Sequence, residues 1–175
     1  HSSSKVVHKG TFQGVVEKLD YLKELGVNQI QCMPVYEFEE LMENGRLNYW
    51  GYAPSDYFAV KSSYASQKDA DWEFKSLILE THKQQMELIM EMHFLPEQTA
   101  GAIIEILRYW VMEYHVDGFK LLGAGLPIAE QILTDCGFYP EEMKEILYAI
   151  ENHRNKEMLK RDDLAGILYL SLIHI

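Results

Sequence analysis

Cysteine is scarce in this 175-residue sequence, which holds only Cys32 and Cys136. Each has apolar neighbours, and neither has a second Cys or a His at zinc-ligand spacing, so a zinc site built on either is excluded. Both read as buried free thiols, which suits a reducing compartment such as the cytoplasm. Positive charge is also short: 16 Lys and Arg stand against 27 Asp and Glu, for a net charge of −11. Apart from "HRNKEMLKR" the basic residues are scattered, and a nucleic-acid partner is excluded because phosphate binding needs a basic footprint. Neutral and cationic ligands stay open. No stretch reaches the roughly 18 apolar residues of a membrane span. The start "HSSSKVVHKG" lacks an initiator Met and a signal-peptide core, so the natural N-terminus is expected to lie elsewhere. No glycine-rich phosphate fingerprint opens a helix, and no internal repeat or low-complexity segment is present.

What is there is a globular composition, 47% hydrophobic, of single-domain size. "GVVEKLDYLKELG" sets Val15, Val16, Leu19, Leu22 and Leu25 at three- and four-residue spacing. That spacing predicts one helix, ended by a left-handed cap at Gly26. "NQIQCMPV" is a strand closed by Pro34. "DWEFKSLILETHKQQ" resumes a helical stripe through Phe74, Leu77, Ile78 and Thr81, and "MELIMEMHF" is a second strand. "TAGAIIEILRYWVMEYH" carries a Thr99 cap and a face of Ile103, Leu107, Val111 and Tyr114, and "VDGFKLL" makes an Asp117-Gly118 turn before a third strand. "LPIAEQIL" and "PEEMKEILYAIENHRNKEML" add helices, the second with Pro140 in its first turn and Glu141 and Glu142 suited to the helix dipole.

Alternating strands and helices predict a parallel sheet with crossover helices, either doubly wound or a (β/α)8 barrel. Residues 36–70 show no sustained period and exceed the roughly 12 to 15 residues of an idle loop. This loop follows a strand's C-terminal end, where barrels keep their active sites, and the missing phosphate fingerprint also favours the barrel. Within it, "NYWGYAPSDYFA" concentrates Tyr49, Trp50, Tyr52 and Tyr57.

The order of these elements resembles the alpha-amylase family of glycoside hydrolases, family thirteen, over residues 10–128. "GTFQGVVEKLDYLKELGVNQIQCMPVYEF" is similar to the first barrel helix and second strand of its isoamylase, pullulanase and glycogen-debranching branch. "NYWGYAPSDYFA" with "SSYAS" is similar to that branch's aromatic loop. The resemblance implies a partial (β/α)8 TIM barrel: strands two to four, flanking helices and a long loop after strand two, truncated at both ends. Residues 1–169 would be this partial catalytic barrel. The terminal "LSLIHI", residues 170–175, resembles the translation of a sequencing-library adapter, the alternative being a short terminal strand.

The implied partner is an alpha-glucan such as starch or glycogen, with no cofactor. Aromatic rings stack on the apolar faces of sugars, and the family's tyrosine matching Tyr52 is a stacking platform; the plainer alternative is that Trp50, Tyr52 and Tyr57 pin a long loop. Asn48, Tyr49, Trp50, Tyr52, Asp56, His93 and Lys120 are the expected substrate-binding residues.

Retaining glycosidases need two carboxyl groups about 5 to 5.5 Å apart, one of them the nucleophile. Where the family's fourth strand reads G-F-R-F-D, this sequence has Gly118, Phe119, Lys120, Leu121 and Leu122. Leucine thus stands at the nucleophile position, and Lys120 offers a point charge in place of the arginine fork. Where the third strand reads D-V-V-F-N-H, this sequence runs from Glu91 to Pro96 and loses the asparagine and histidine. With Leu95 at the asparagine position no metal is expected. Glu91 and Asp56 are weak substitutes for the missing carboxylate. Glu91 is better read as a buried acid paired with Lys120. Asp56 reads as an exposed cap, Asp117 as a turn residue and His93 as a satisfied core histidine. The expectation is a glucan-binding homologue that does not hydrolyse. The alternatives are an active debranching-type hydrolase with repositioned carboxylates, and a regulatory or interaction barrel without sugar binding.

Overall fold

The computed structural model describes residues 5–41, 45–67, 69–95, 97–123, 125–135 and 137–152. The expectations for Cys136, Pro96, the "HRNKEMLKR" cluster and residues 170–175 lie outside the described residues. Among the described residues the order is α1 (Phe12–Val16), α2 (Leu19–Glu24), β1 (Gln29–Cys32), β2 (Tyr36–Phe38), β3 (Pro54–Val60), a 3-10 turn (Ser62–Tyr64), α3 (Ala70–Lys83), β4 (Glu87–His93), α4 (Ala100–Tyr114), β5 (Gly118–Leu122), α5 (Gly125–Asp135) and α6 (Pro140–Asn152).

The chain divides into two compact units. The first, residues 1–94 and 104–122, holds all five strands. Its sheet has the order β1-β4-β5, every pair parallel, as the strand-helix alternation predicts. Parallel neighbours in chain order are the arrangement of a barrel wall, with no switch point between them. The second unit, residues 95–103 and 123–175, includes α5 packed on α6. Pro140 does open α6, and Glu142 accepts a hydrogen bond from the Tyr139 amide at 3.0 Å.

The core of the first unit lies between the sheet and α3. Phe74, Leu77, Ile78 and Thr81 are all buried, the predicted stripe of α3 without exception. Asp69 caps the helix by accepting from the Trp72 amide at 2.9 Å. Leu88, Met90 and Met92 of β4 are fully buried. Phe74 sits at the centre of an aromatic cluster, with ring centroids 5.1 Å from Phe12, 5.9 Å from Trp110 and 5.5 Å from Tyr114.

Local expectations fail in four places. The first helix is two helices, broken at Glu17 and Lys18, where the Lys18 amide tightens back to Val15. The Glu17 carboxylate turns away to accept from the Val7 and His8 amides at 2.7 and 3.2 Å. Of the expected stripe only Leu19 is buried and Leu25 is exposed, although Gly26 does take the left-handed cap with φ +81. In α4 the buried residues are Ile103, Ile106, Trp110 and Tyr114, and Val111 is 41% exposed. The indole of Trp110, stacked on Tyr114 at 4.7 Å, sets the rotation of the helix and turns Leu107 and Val111 away from the core. Finally, the long loop contains the antiparallel pair β2-β3. Its register shifts at both steps between Tyr36 and Phe38, which erases the two-residue period that would reveal the strands. Cys32 is half-buried rather than fully buried, and burial pushes its thiol up to about 11.

Candidate functional site

Successive side chains of β4 point to opposite faces, so the three buried residues Leu88, Met90 and Met92 leave Glu87, Ile89, Glu91 and His93 on the other face. The parallel register sets Glu91 opposite Lys120 and His93 opposite Leu122 of β5. It sets Gln29 and Gln31 of β1 opposite Glu87 and Ile89. One face of the sheet is therefore apolar and packed, and the other carries a row of polar groups.

Glu91 is the hub of that row. It is 3% exposed, and an ionised carboxylate so placed must be paired. Lys120 Nζ donates to Oε2 at 2.6 Å and Gln31 Nε2 donates to the same oxygen at 3.0 Å. The Tyr52 hydroxyl donates to Oε1. Burial alone would push this carboxyl up, but Lys120 and the Tyr52 and Gln31 hydrogen bonds hold it below its ordinary value. The same bond to Glu91 pushes the Tyr52 phenol up. Both carboxylate oxygens are engaged, and the three donors include no second carboxyl group. The arrangement fixes a charge and orients a tyrosine.

Tyr52 reaches Glu91 from the segment between β2 and β3. This segment is built around Gly51, whose φ of +74 lies in the left-handed region. A Cβ there would also stand 2.9 Å from Pro34 Cβ and 3.1 Å from the Phe38 ring. The Asn48 side chain braces the turn, accepting from the Gly51 amide at 3.1 Å and donating to the Glu39 carbonyl at 2.9 Å. The Tyr36 hydroxyl donates to the Gly51 carbonyl at 3.0 Å. On this support the Tyr52 ring lies 5.3 Å from the His93 ring, and the Trp50 ring lies stacked 6.4 Å from that of Tyr52 at 22°. Trp50 is 63% exposed and Tyr49 is still more open. Trp50 does not pin the loop, whereas Tyr57 does: its hydroxyl donates to the His93 carbonyl at 2.9 Å and its own carbonyl accepts from Trp110 Nε1 at 2.8 Å.

The expected residues thus separate into groups. Tyr52, His93, Lys120 and Glu91 come together on one face, with Leu122 in register beside His93 and Trp50 stacked along Tyr52. Asn48 spends its amide within the loop. Asp56 is an exposed residue of β3 that caps the Phe58 amide at 2.8 Å. Asp117 ties the strands at their start, accepting from the Leu88 amide at 2.7 Å and from His82 Nε2 at 2.9 Å. His93 departs from the satisfied core histidine: its Nδ1 is buried and has no hydrogen-bond partner, and its ring lies against that of Tyr52. Among the described residues no group of three His, Cys, Asp or Glu side chains comes together as a metal ion would need, and no helix is long and apolar enough to cross a membrane.

Sequence reasoning missed Gln31, Tyr36 and Lys61. The polar-apolar alternation of "QIQC" was the signal for Gln31. Lys61 carried none. It is buried between Glu37 and Glu40, the latter at 3.0 Å, and donates to the Phe38 carbonyl at 3.1 Å. Burial pulls its ammonium down, and the two carboxylates more than reverse this, so its pKa is raised.

Residues 2–96, more than half of the chain, match the family described as "Alpha amylase, catalytic domain". The chain is 34% identical to isoamylase 1, chloroplastic, of Oryza sativa subsp. japonica, over 69% of this chain and 22% of that protein. It is 34% identical to pullulanase A of Streptococcus pneumoniae, over 63% of this chain and 13% of that protein. Among solved structures, the catalytic module of the multi-modular glycogen-degrading pneumococcal virulence factor SpuA superimposes with a TM-score of 0.62 at 26% identity, over 85% of this chain and 27% of that one. The chain thus spans about a fifth of the isoamylase's length.

Proposed function

The chain belongs to the alpha-amylase family, and we propose that it binds alpha-glucans on the polar face of its sheet without hydrolysing them. The observation that carries this reading is the state of Glu91: its two oxygens are occupied by Lys120, Tyr52 and Gln31. Such a carboxylate is held in place by its three donors and orients a sugar-stacking tyrosine. Leu122, at the position that matches the family's nucleophile, has no nucleophilic group. On this reading β1, β4 and β5 are barrel strands two to four, and their polar face is the barrel interior.

The roles follow from exposure and chemistry. Trp50 and Tyr52 offer a stacked pair of rings to the apolar face of successive glucose units. Lys120 keeps donor capacity beyond its bond to Glu91. His93 backs the Tyr52 ring, Tyr49 adds an exposed ring, and Asn48 and Asp56 act by holding the loop. The chain requires no cofactor or metal for this. Carboxylates supplied from elsewhere in the protein would make it instead an active debranching-type hydrolase. If sugar binding too were lost, it would be a regulatory barrel.

The test is calorimetric titration of the full-length protein with maltoheptaose. Binding is expected in the wild type, with affinity reduced about tenfold or more in Tyr52→Ala and in Trp50→Ala, since an aromatic contact of this kind is worth on the order of 1 kcal/mol beyond its area. Affinity unchanged in both variants would overturn the assignment of the rings.

A further inference from the structure

We infer that Tyr36 is the positioning residue for the glucan-stacking rings, its hydroxyl joining the Gly51 carbonyl of the aromatic loop to the His93 amide at the end of β4. This inference rests on the glucan-binding reading for its consequence but on geometry alone for the brace. Tyr36 is completely buried. Its hydroxyl donates to the Gly51 carbonyl at 3.0 Å and accepts from the His93 amide at 3.3 Å. β1 ends at Cys32, paired with Met90, so the ladder on that side of β4 stops before His93. The Tyr36 hydroxyl stands where a further strand residue would have accepted the amide. Beside it the Tyr57 hydroxyl donates to the His93 carbonyl at 2.9 Å, and the two tyrosine rings lie 5.4 Å apart.

The position of the brace gives it its role. Gly51 separates Trp50 from Tyr52, so its carbonyl is the backbone point between the two rings. His93 carries the ring on which Tyr52 leans, at 5.3 Å. This hydroxyl therefore ties the backbone of the loop that bears the rings to the backbone of the strand that bears His93 and Glu91, beside the side-chain bond from Tyr52 to Glu91. Without it, two backbone groups lose their partners beside a buried ring, and they regain them only if the loop moves far enough to admit water. Lys61 and Asn48 hold the ends of the loop, at Phe38 and at Glu39, and neither ties Gly51 to β4.

The experiment compares wild type, Tyr36→Phe and Ile78→Val in the full-length protein. Ile78 is buried in α3, and its shortening supplies a stability control remote from the loop. Two readouts are taken: amide hydrogen exchange across residues 48–53, and maltoheptaose affinity. Tyr36→Phe is expected to speed exchange across 48–53 about tenfold and to weaken maltoheptaose binding about tenfold. Ile78→Val should change neither locally. Exchange in Tyr36→Phe that matches the wild type overturns the brace, and so does an equal acceleration in Ile78→Val. A wild type that fails to bind maltoheptaose overturns the glucan reading, while the exchange comparison still decides what Tyr36 holds. Faster exchange with unchanged affinity shows that the brace does not position the rings, and overturns the inference.

Discussion

Replacing Lys120 by methionine tests whether Glu91 is a structural ion, because it removes the charge and keeps the length of the side chain. Glu91 would remain 3% exposed and would keep the Tyr52 and Gln31 bonds, losing its 2.6 Å contact to an ammonium. Removing one partner of a fully buried pair costs about 3 to 5 kcal/mol. The two remaining donors and the 43% exposure of the Lys120 side chain bring the expected cost to about 2 kcal/mol. For a domain of this size that is a fall of about 4 to 8 °C in Tm at neutral pH. The pH dependence carries the sharper test. In the wild type the Glu91 carboxyl lies below its ordinary value of 4.5, so its stabilisation is complete above that pH and is lost as pH falls through the folded-state value. Without Lys120 the effect of burial gains weight and the folded-state value rises. Thermal unfolding followed by circular dichroism should therefore show a wide gap between wild type and Lys120→Met at about pH 7 and a narrower one at a pH well below the ordinary value of 4.5. A gap of equal size at both pH values would refute the ionic account of Glu91.

Two further substitutions probe the loop and the core. Gly51→Ala forces a Cβ against Pro34 and Phe38 at a positive φ, and is expected to cost about 1 to 3 kcal/mol in urea unfolding and to weaken maltoheptaose binding. Phe74→Ala empties the centre of the aromatic cluster and is expected to cost about 3 to 5 kcal/mol by the same measurement.

The regular parts of this fold are legible in its sequence for a physical reason: where a helix packs one face continuously on a sheet, its burial period is its sequence period. Phe74, Leu77, Ile78 and Thr81 of α3 behave so, as does the parallel order of β1, β4 and β5. The pairing of Glu91 with Lys120 was legible too, since adjacent parallel strands bring such residues into register. Legibility ends where side chains act across the sequence. The break after Val16 depends on Glu17 turning back to Val7 and His8, and the rotation of α4 depends on where the Trp110 ring finds room. β2 is only three residues long and pairs with β3 in an irregular register, held by a buried Lys61 whose partners no local pattern announces. At the candidate site, no spacing rule could show that Tyr52 reaches Glu91 across 39 residues, or that Tyr36 joins Gly51 to His93.

The central claim, binding without hydrolysis, is tested most directly by measuring reducing-sugar release from glycogen and maltoheptaose by the full-length wild-type protein. The account expects no release above the enzyme-free control at concentrations where calorimetry shows the sugar bound. Sustained release that disappears in Tyr52→Ala would contradict it, and would require carboxylates other than Glu91 to stand at the cleaved bond.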